Sequence, residues 1–134
     1  MYREIIISIV IIVVIFIANN MSQSYTDKTI EEIDNGLNSL REKIFQIMDK
    51  KEEKNENQIR GEIEKILEQW EGKYYTLAIY IEHDELEKVK KDLVILKANV
   101  EVKEYQDAIT NLDSCIFSLK HIKDKEVLNL DNFF

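Results

Sequence analysis

The sequence predicts an all-α protein: an N-terminal single transmembrane helix followed by an antiparallel four-helix bundle made of two αα-hairpins. Three observations predict it. No proline and only three glycines occur in 134 residues, too few turn-formers for a β-sandwich. The chain is 45% hydrophobic and 33% charged, too apolar for disorder. From Tyr25 onward, apolar residues recur at every third or fourth position, the period of a helix buried along one face.

The first element is "IIISIVIIVVIFIA", Ile5 to Ala18, interrupted only by Ser8. As a helix it is roughly 21 Å long, short of a hydrocarbon core of ~30 Å. Tyr2 on one side and the uncharged Asn19–Ser24 on the other extend it, and charge returns only at Asp27. Residues 1–20 therefore read as a signal-anchor that meets the lipid bilayer through residues 5–18. Two other readings compete. A cleaved signal peptide would present Phe16 and Ala18 before a cut after Ala18, a poor small-x-small site. A soluble core helix would need burial on every side, because the run has no polar face. Arg3 precedes the run and Lys28 follows it, which favours a cytoplasmic N-terminus with residues 21–134 outside the cell membrane.

Residues 21–134 form an acidic domain. The formal charge is −8, and Arg3 and Glu4 cancel before the apolar run. Nucleic acid is excluded as a partner, since counterion release needs clustered Lys and Arg. Cys115 is the only cysteine, which rules out an intrachain disulfide and a zinc site built on several thiolates.

Four helices are expected, over about 26–54, 57–82, 84–100 and 103–123, with a short apolar C-terminal tail. Ile30, Ile33, Leu37, Leu40, Ile44 and Ile47 make the first stripe; Ile59, Ile63, Ile66, Trp70, Tyr74, Leu77 and Ile81 make the second. They match in reverse, from Ile47 against Ile63 to Ile30 against Ile81, as an αα-hairpin demands. "KKEEKNEN", Lys50 to Asn57, supplies its turn, with Asn57 as N-cap. Leu86, Val89, Leu93, Leu96 and Val100 make the third stripe and Tyr105, Ile109, Leu112, Ile116 and Leu119 the fourth; Leu86, Val89, Leu93 and Leu96 match Ile116, Leu112, Ile109 and Tyr105 in the same way, turning at "ANVEVK", Ala98 to Lys103.

The stretch "YIEHDELEKV", Tyr80 to Val89, decides between a bundle and a rod. The stripe steps by five from Ile81 to Leu86, and Asp84 with Glu87 resembles a capping box, so a turn is expected there. The alternative is three long helices with a continuous helix 57–100, rod-like or dimeric. That helix would be roughly 65 Å long, with one neighbour at each level and a thin core. Glu82, His83, Asp84, Glu85 and His121 are the candidate polar site. Extending the second hairpin sets Glu82 opposite Lys120, with His121 next to it, and a carboxylate facing a histidine makes a pH-sensitive contact. A di-metal site needs glutamates three residues before its histidines; Tyr80 and Ser118 stand there instead, so no metal or other cofactor is expected. Glycine-rich phosphate loops and nucleophile elbows are missing too. Cys115 lies beside the Leu112–Leu119 line and reads as a buried thiol. Trp70, Tyr74, Tyr75 and Tyr80 are core candidates first and, with Phe133 and Phe134, candidate partner surface second.

The apolar N-terminal segment, the central Trp70, the Tyr80–Val89 stretch and the late "LKHIKDKEVLNLDNFF" together resemble the family called domain of unknown function 4363. These are short bacterial membrane-anchored proteins. The resemblance covers nearly the whole chain and implies an anchored helical protein with an integral membrane protein as partner. The closing "NFF" would dock on that partner or tuck into the bundle. No activity or catalytic residue comes with the resemblance. The expected function is thus a non-enzymatic accessory or interaction protein; the alternative is an extracytoplasmic small-ligand or pH-sensing bundle. Homodimerisation is a second way to complete the core.

Overall fold

A computed structural model of the chain describes residues 1–50 and 56–133, with side chains for 1–49 and 56–125. The protein is all-helical, with α1 (Tyr2–Lys50), α2 (Glu56–Leu77), α3 (His83–Glu101) and α4 (Tyr105–Phe133). Contacts run around a ring, α1 to α2, α2 to α3, α3 to α4 and α4 back to α1, with no diagonal approach among the described residues. The rod with an unbroken helix 57–100 does not form.

The apolar run and the first bundle helix are one element. No glycine or proline lies between Ile5 and Gly36, so nothing in the backbone stops α1 from continuing through Asn19–Ser24. Its two halves differ in what surrounds them. From Ile5 to Ile17 the large apolar side chains are about half exposed on every face, whereas Ile30, Ile33, Leu37, Leu40, Ile44 and Ile47 are buried. Among the described residues α1 is the one helix long and apolar enough to cross a membrane, and none of its apolar window is buried.

The core follows the stripes read from the sequence in α1 and α3 and, apart from the half-buried Tyr74, in α2; in α4 the buried face is turned, and Tyr105, Ile109 and Ile116 are only partly buried at its edge. Ile59, Ile63, Ile66, Trp70 and Leu77 of α2 and Leu86, Val89, Leu93, Leu96 and Val100 of α3 are all buried. Ala108, Leu112, Cys115, Leu119 and Ile122 of α4 close it. One chain encloses its own core. Gly36 permits the close approach of α2: a Cβ there would sit 3.3 Å from Ile66 Cδ1. Polar pairs on the rim mark the register at each interface. Arg41 meets Asp113 at 2.9 Å, Lys43 meets Glu62, Lys97 meets Glu64 at 3.3 Å and Ser114 donates to Asp92 at 3.2 Å. Exposed pairs of this kind contribute about 0–1 kcal/mol each and serve alignment more than stability.

The two ends of the bundle differ. At the proximal end, nearer the apolar half of α1, the Thr26 hydroxyl lies 2.9 Å from the Tyr80 hydroxyl and donates to Ser22 O. At the distal end Tyr105 donates to Glu56 at 2.6 Å, and Lys103 stands 3.7 Å from the same carboxylate. The connection expected at 50–57 falls between α1 and α2, and residues 51–55 lie outside the described residues.

Several boundaries depart from the sequence reading. α2 begins at Glu56, so Asn57 sits inside the first turn rather than capping it. α2 ends at Leu77, five residues before the expected 82. Ile79 and Tyr80 bond back to the carbonyls of Thr76 and Leu77, a tightening that ends the helix and carries Ile81 into the core. The cap position of α3 is Glu82, whose side chain makes no capping bond, so Asp84 lies in the first turn and is not the N-cap. α4 continues as helix through the stretch expected to be a tail.

The α3–α4 turn ends in a Schellman motif: Glu104 N bonds to Asn99 O and Lys103 N to Val100 O. Lys103 occupies its left-handed position with φ 61°, where glycine is the unstrained residue. Lys103→Gly should therefore raise the free energy of unfolding by about 1 kcal/mol, net of the exposed Glu56 contact. A higher urea midpoint at unchanged slope is the readout.

Candidate functional site

The polar residues of the α2–α3 break divide between two helix neighbours. Toward α4, His121 Nε2 lies 3.6 Å from Glu85 Oε1, and Lys125 Nζ bridges Glu85 at 3.1 Å and Glu82 at 3.3 Å. Glu85, and not Glu82, is thus the carboxylate facing His121. The expected pairing of Glu82 with Lys120 was set one turn too far from the end of α4; its partner is Lys125. The two carboxylates hold the Lys125 ammonium in its charged form and push its pKa up.

Toward α2, Tyr74 donates its phenolic proton to Glu87 at 2.7 Å, and its oxygen lies 2.7 Å from His83 Nδ1. The phenol has one proton, already given to Glu87. His83 must therefore donate from Nδ1 to the Tyr74 oxygen. Partial burial first, and the Glu87 carboxylate second, push the Tyr74 phenol up to about 12. His83 and His121 thus serve different interfaces and do not converge. Among the described residues no three His, Cys, Asp or Glu side chains form a group that could hold a metal ion.

A cleft of about 160 Å³ lies over the α3–α4 contact, lined by Glu85, Lys88, Phe117, Ser118, His121 and Ile122. Phe117 is 68% exposed beside it. The Ser118 hydroxyl is buried beneath with no hydrogen-bond partner. What this arrangement does chemically is latch α3 to α4. The Glu85 carboxylate faces two neighbours on α4, the Lys125 ammonium and the His121 imidazole.

A family model described as domain of unknown function (DUF4363) matches residues 21–133. The chain belongs to the DUF4363 family. The match begins where the apolar run has ended and spans the whole bundle. No curated protein and no solved structure matches the chain.

Within this DUF4363 bundle the aromatic candidates separate. Trp70 is fully buried, with Nε1 donating to Leu86 O at 3.3 Å across the α2–α3 contact. It ties α3 to α2 just after the break and is not available as partner surface. Tyr74 and Tyr80 are half-buried, and Tyr75 is 83% exposed. The Phe133 side chain and Phe134 lie outside the described residues. Burial, reinforced by Asp92 and Asp34, pushes the Cys115 thiol up to about 12, so almost no thiolate forms near neutrality. Two participants escaped the sequence reading. Lys125 sits one helical turn beyond His121 on the same face, a spacing that could have disclosed it. Thr26 looks like an ordinary surface threonine in sequence; in the bundle it is buried and meets the Tyr80 hydroxyl.

These shifts fix how stability should respond to alkali. Below pH 10.0, the ordinary value, Tyr74 is protonated in both folded and unfolded chains. Between there and about 12 the unfolded chain loses the proton first, so stability falls as pH rises through that window. Lys125 and Cys115, both raised, act in the same direction. Urea midpoints should hold steady through neutral pH and decline above it, and Tyr74→Phe should make the decline shallower.

Proposed function

We propose that this DUF4363 protein is a membrane-anchored, non-enzymatic accessory protein whose bundle lies outside the cytoplasm and docks on an integral membrane protein. The observation that carries the reading is the apolar half of α1, exposed on all faces and continuous with a core helix. A span of uncovered isoleucine and valine is stable in lipid and costly in water. Continuity through Ala18 into the buried Thr26 and Ile30 supports a retained anchor over a cleaved leader. The non-enzymatic part is supported by the chemistry of the candidate groups: Cys115 is an inert thiol, and Glu82, Glu85 and Glu87 are engaged across helices. The full-length chain should stay in the membrane pellet after alkaline carbonate washing. Affinity capture from detergent-solubilised membranes at native expression should recover one dominant integral protein. Recovery of none would overturn the docking partner, and release by carbonate would overturn the anchor.

A further inference from the structure

The described turns at the two ends of the bundle differ in composition. At the distal end the described connection is Val102-Lys103-Glu104, two of its three residues charged, as surface turns ordinarily are. The connection at the proximal end is Ala78-Ile79-Tyr80-Ile81-Glu82, apolar apart from the Tyr80 hydroxyl until Glu82 closes it, and without glycine, proline or asparagine. Ile81 is buried and Tyr80 is half-buried against α1, but Ala78 is exposed and Ile79 is 83% exposed. The packing inside the bundle does not account for an isoleucine at the tip of a turn, presented to the surroundings.

The position of that tip is fixed. Tyr80, next to Ile79, contacts Thr26 on α1 at 2.9 Å, and α1 is helical without interruption from Thr26 back through the apolar run. A crossing of about 20 residues that starts at Tyr2 ends near Met21. Thr26 then stands about 8 Å above the hydrocarbon, within a headgroup layer roughly 5–8 Å deep. The turn shares that level. α4 also runs toward it, continuing past Lys125 to Phe133 through a sequence that includes Val127, Leu128 and Leu130.

We infer that the Ala78–Ile81 turn is a second membrane contact, with Ile79 seated in the headgroup layer of the same bilayer that holds α1. The inference rests on the anchoring reading and adds that the bundle sits down on the lipid surface. An apolar tip at that depth exchanges water for the acyl boundary, and Tyr25 and Tyr80 beside it are the residue type favoured at membrane interfaces.

The test uses the full-length chain in phosphatidylcholine vesicles, where no protein partner exists to cover the turn. Single cysteines replace Ile79, Ala78, Ile12 or Glu101 in a Cys115→Ala background, each carrying a nitroxide label. Collision with a water-soluble nickel complex and with oxygen is then measured for each. Positions 79 and 78 should collide with nickel several-fold less often than position 101 at the distal end, and more often with oxygen. Position 12 should be almost closed to nickel. Equal nickel access at 78, 79 and 101, with 12 closed, overturns the lipid contact and leaves the anchor standing. Nickel access at 12 overturns both.

Discussion

The bundle depends on one reversal, the five residues between Leu77 and His83. If α2 ran on into α3, each level of the molecule would have two helices and a single shared stripe. The reversal returns Leu86, Val89 and Leu93 to the space that Trp70, Leu77 and the α1 stripe already line, and α4 can then close the fourth side. No glycine or proline enforces it. The chain leaves the helix because Ile81 gains burial and Tyr80 gains Thr26 only when it does. Trp70 then clasps the first turn of the returning helix through Leu86 O. Local propensity would permit a straight helix here, and tertiary packing overrides it.

How much of this the sequence discloses depends on the kind of interaction. Every residue of the α1 and α3 stripes lies in the core, because burial follows from periodicity alone. The break was legible as a five-residue step between Ile81 and Leu86. Its exact caps were not: Asp84 has the right chemistry for an N-cap, but the chain has already turned at Glu82. Side-chain chemistry proposes a cap; the need to bury Ile81 chooses where the helix begins.

The polar site tells a similar story. That Glu85, His121 and their neighbours would meet across α3 and α4 could be read from the reversed stripes. Which carboxylate faces which base could not, because a shift of one helical turn exchanges Lys120 for Lys125. Long flexible side chains such as Lys125 also reach two acceptors at once, a choice made by three-dimensional spacing that no periodicity encodes. Tyr74 and His83 illustrate the same limit: they are nine positions apart, and only the reversal of the chain brings ring to ring.

The absence of any joint within α1 has a mechanical consequence. In a chain anchored as proposed, the stretch from Thr26 to Lys50 is a rigid post of about 36 Å, and the distal end travels wherever the embedded part leans. A few degrees of tilt below the surface would swing the top of the molecule sideways by a distance proportional to that height. A chain anchored in this way would hold the distal end of its bundle at a fixed height over the bilayer.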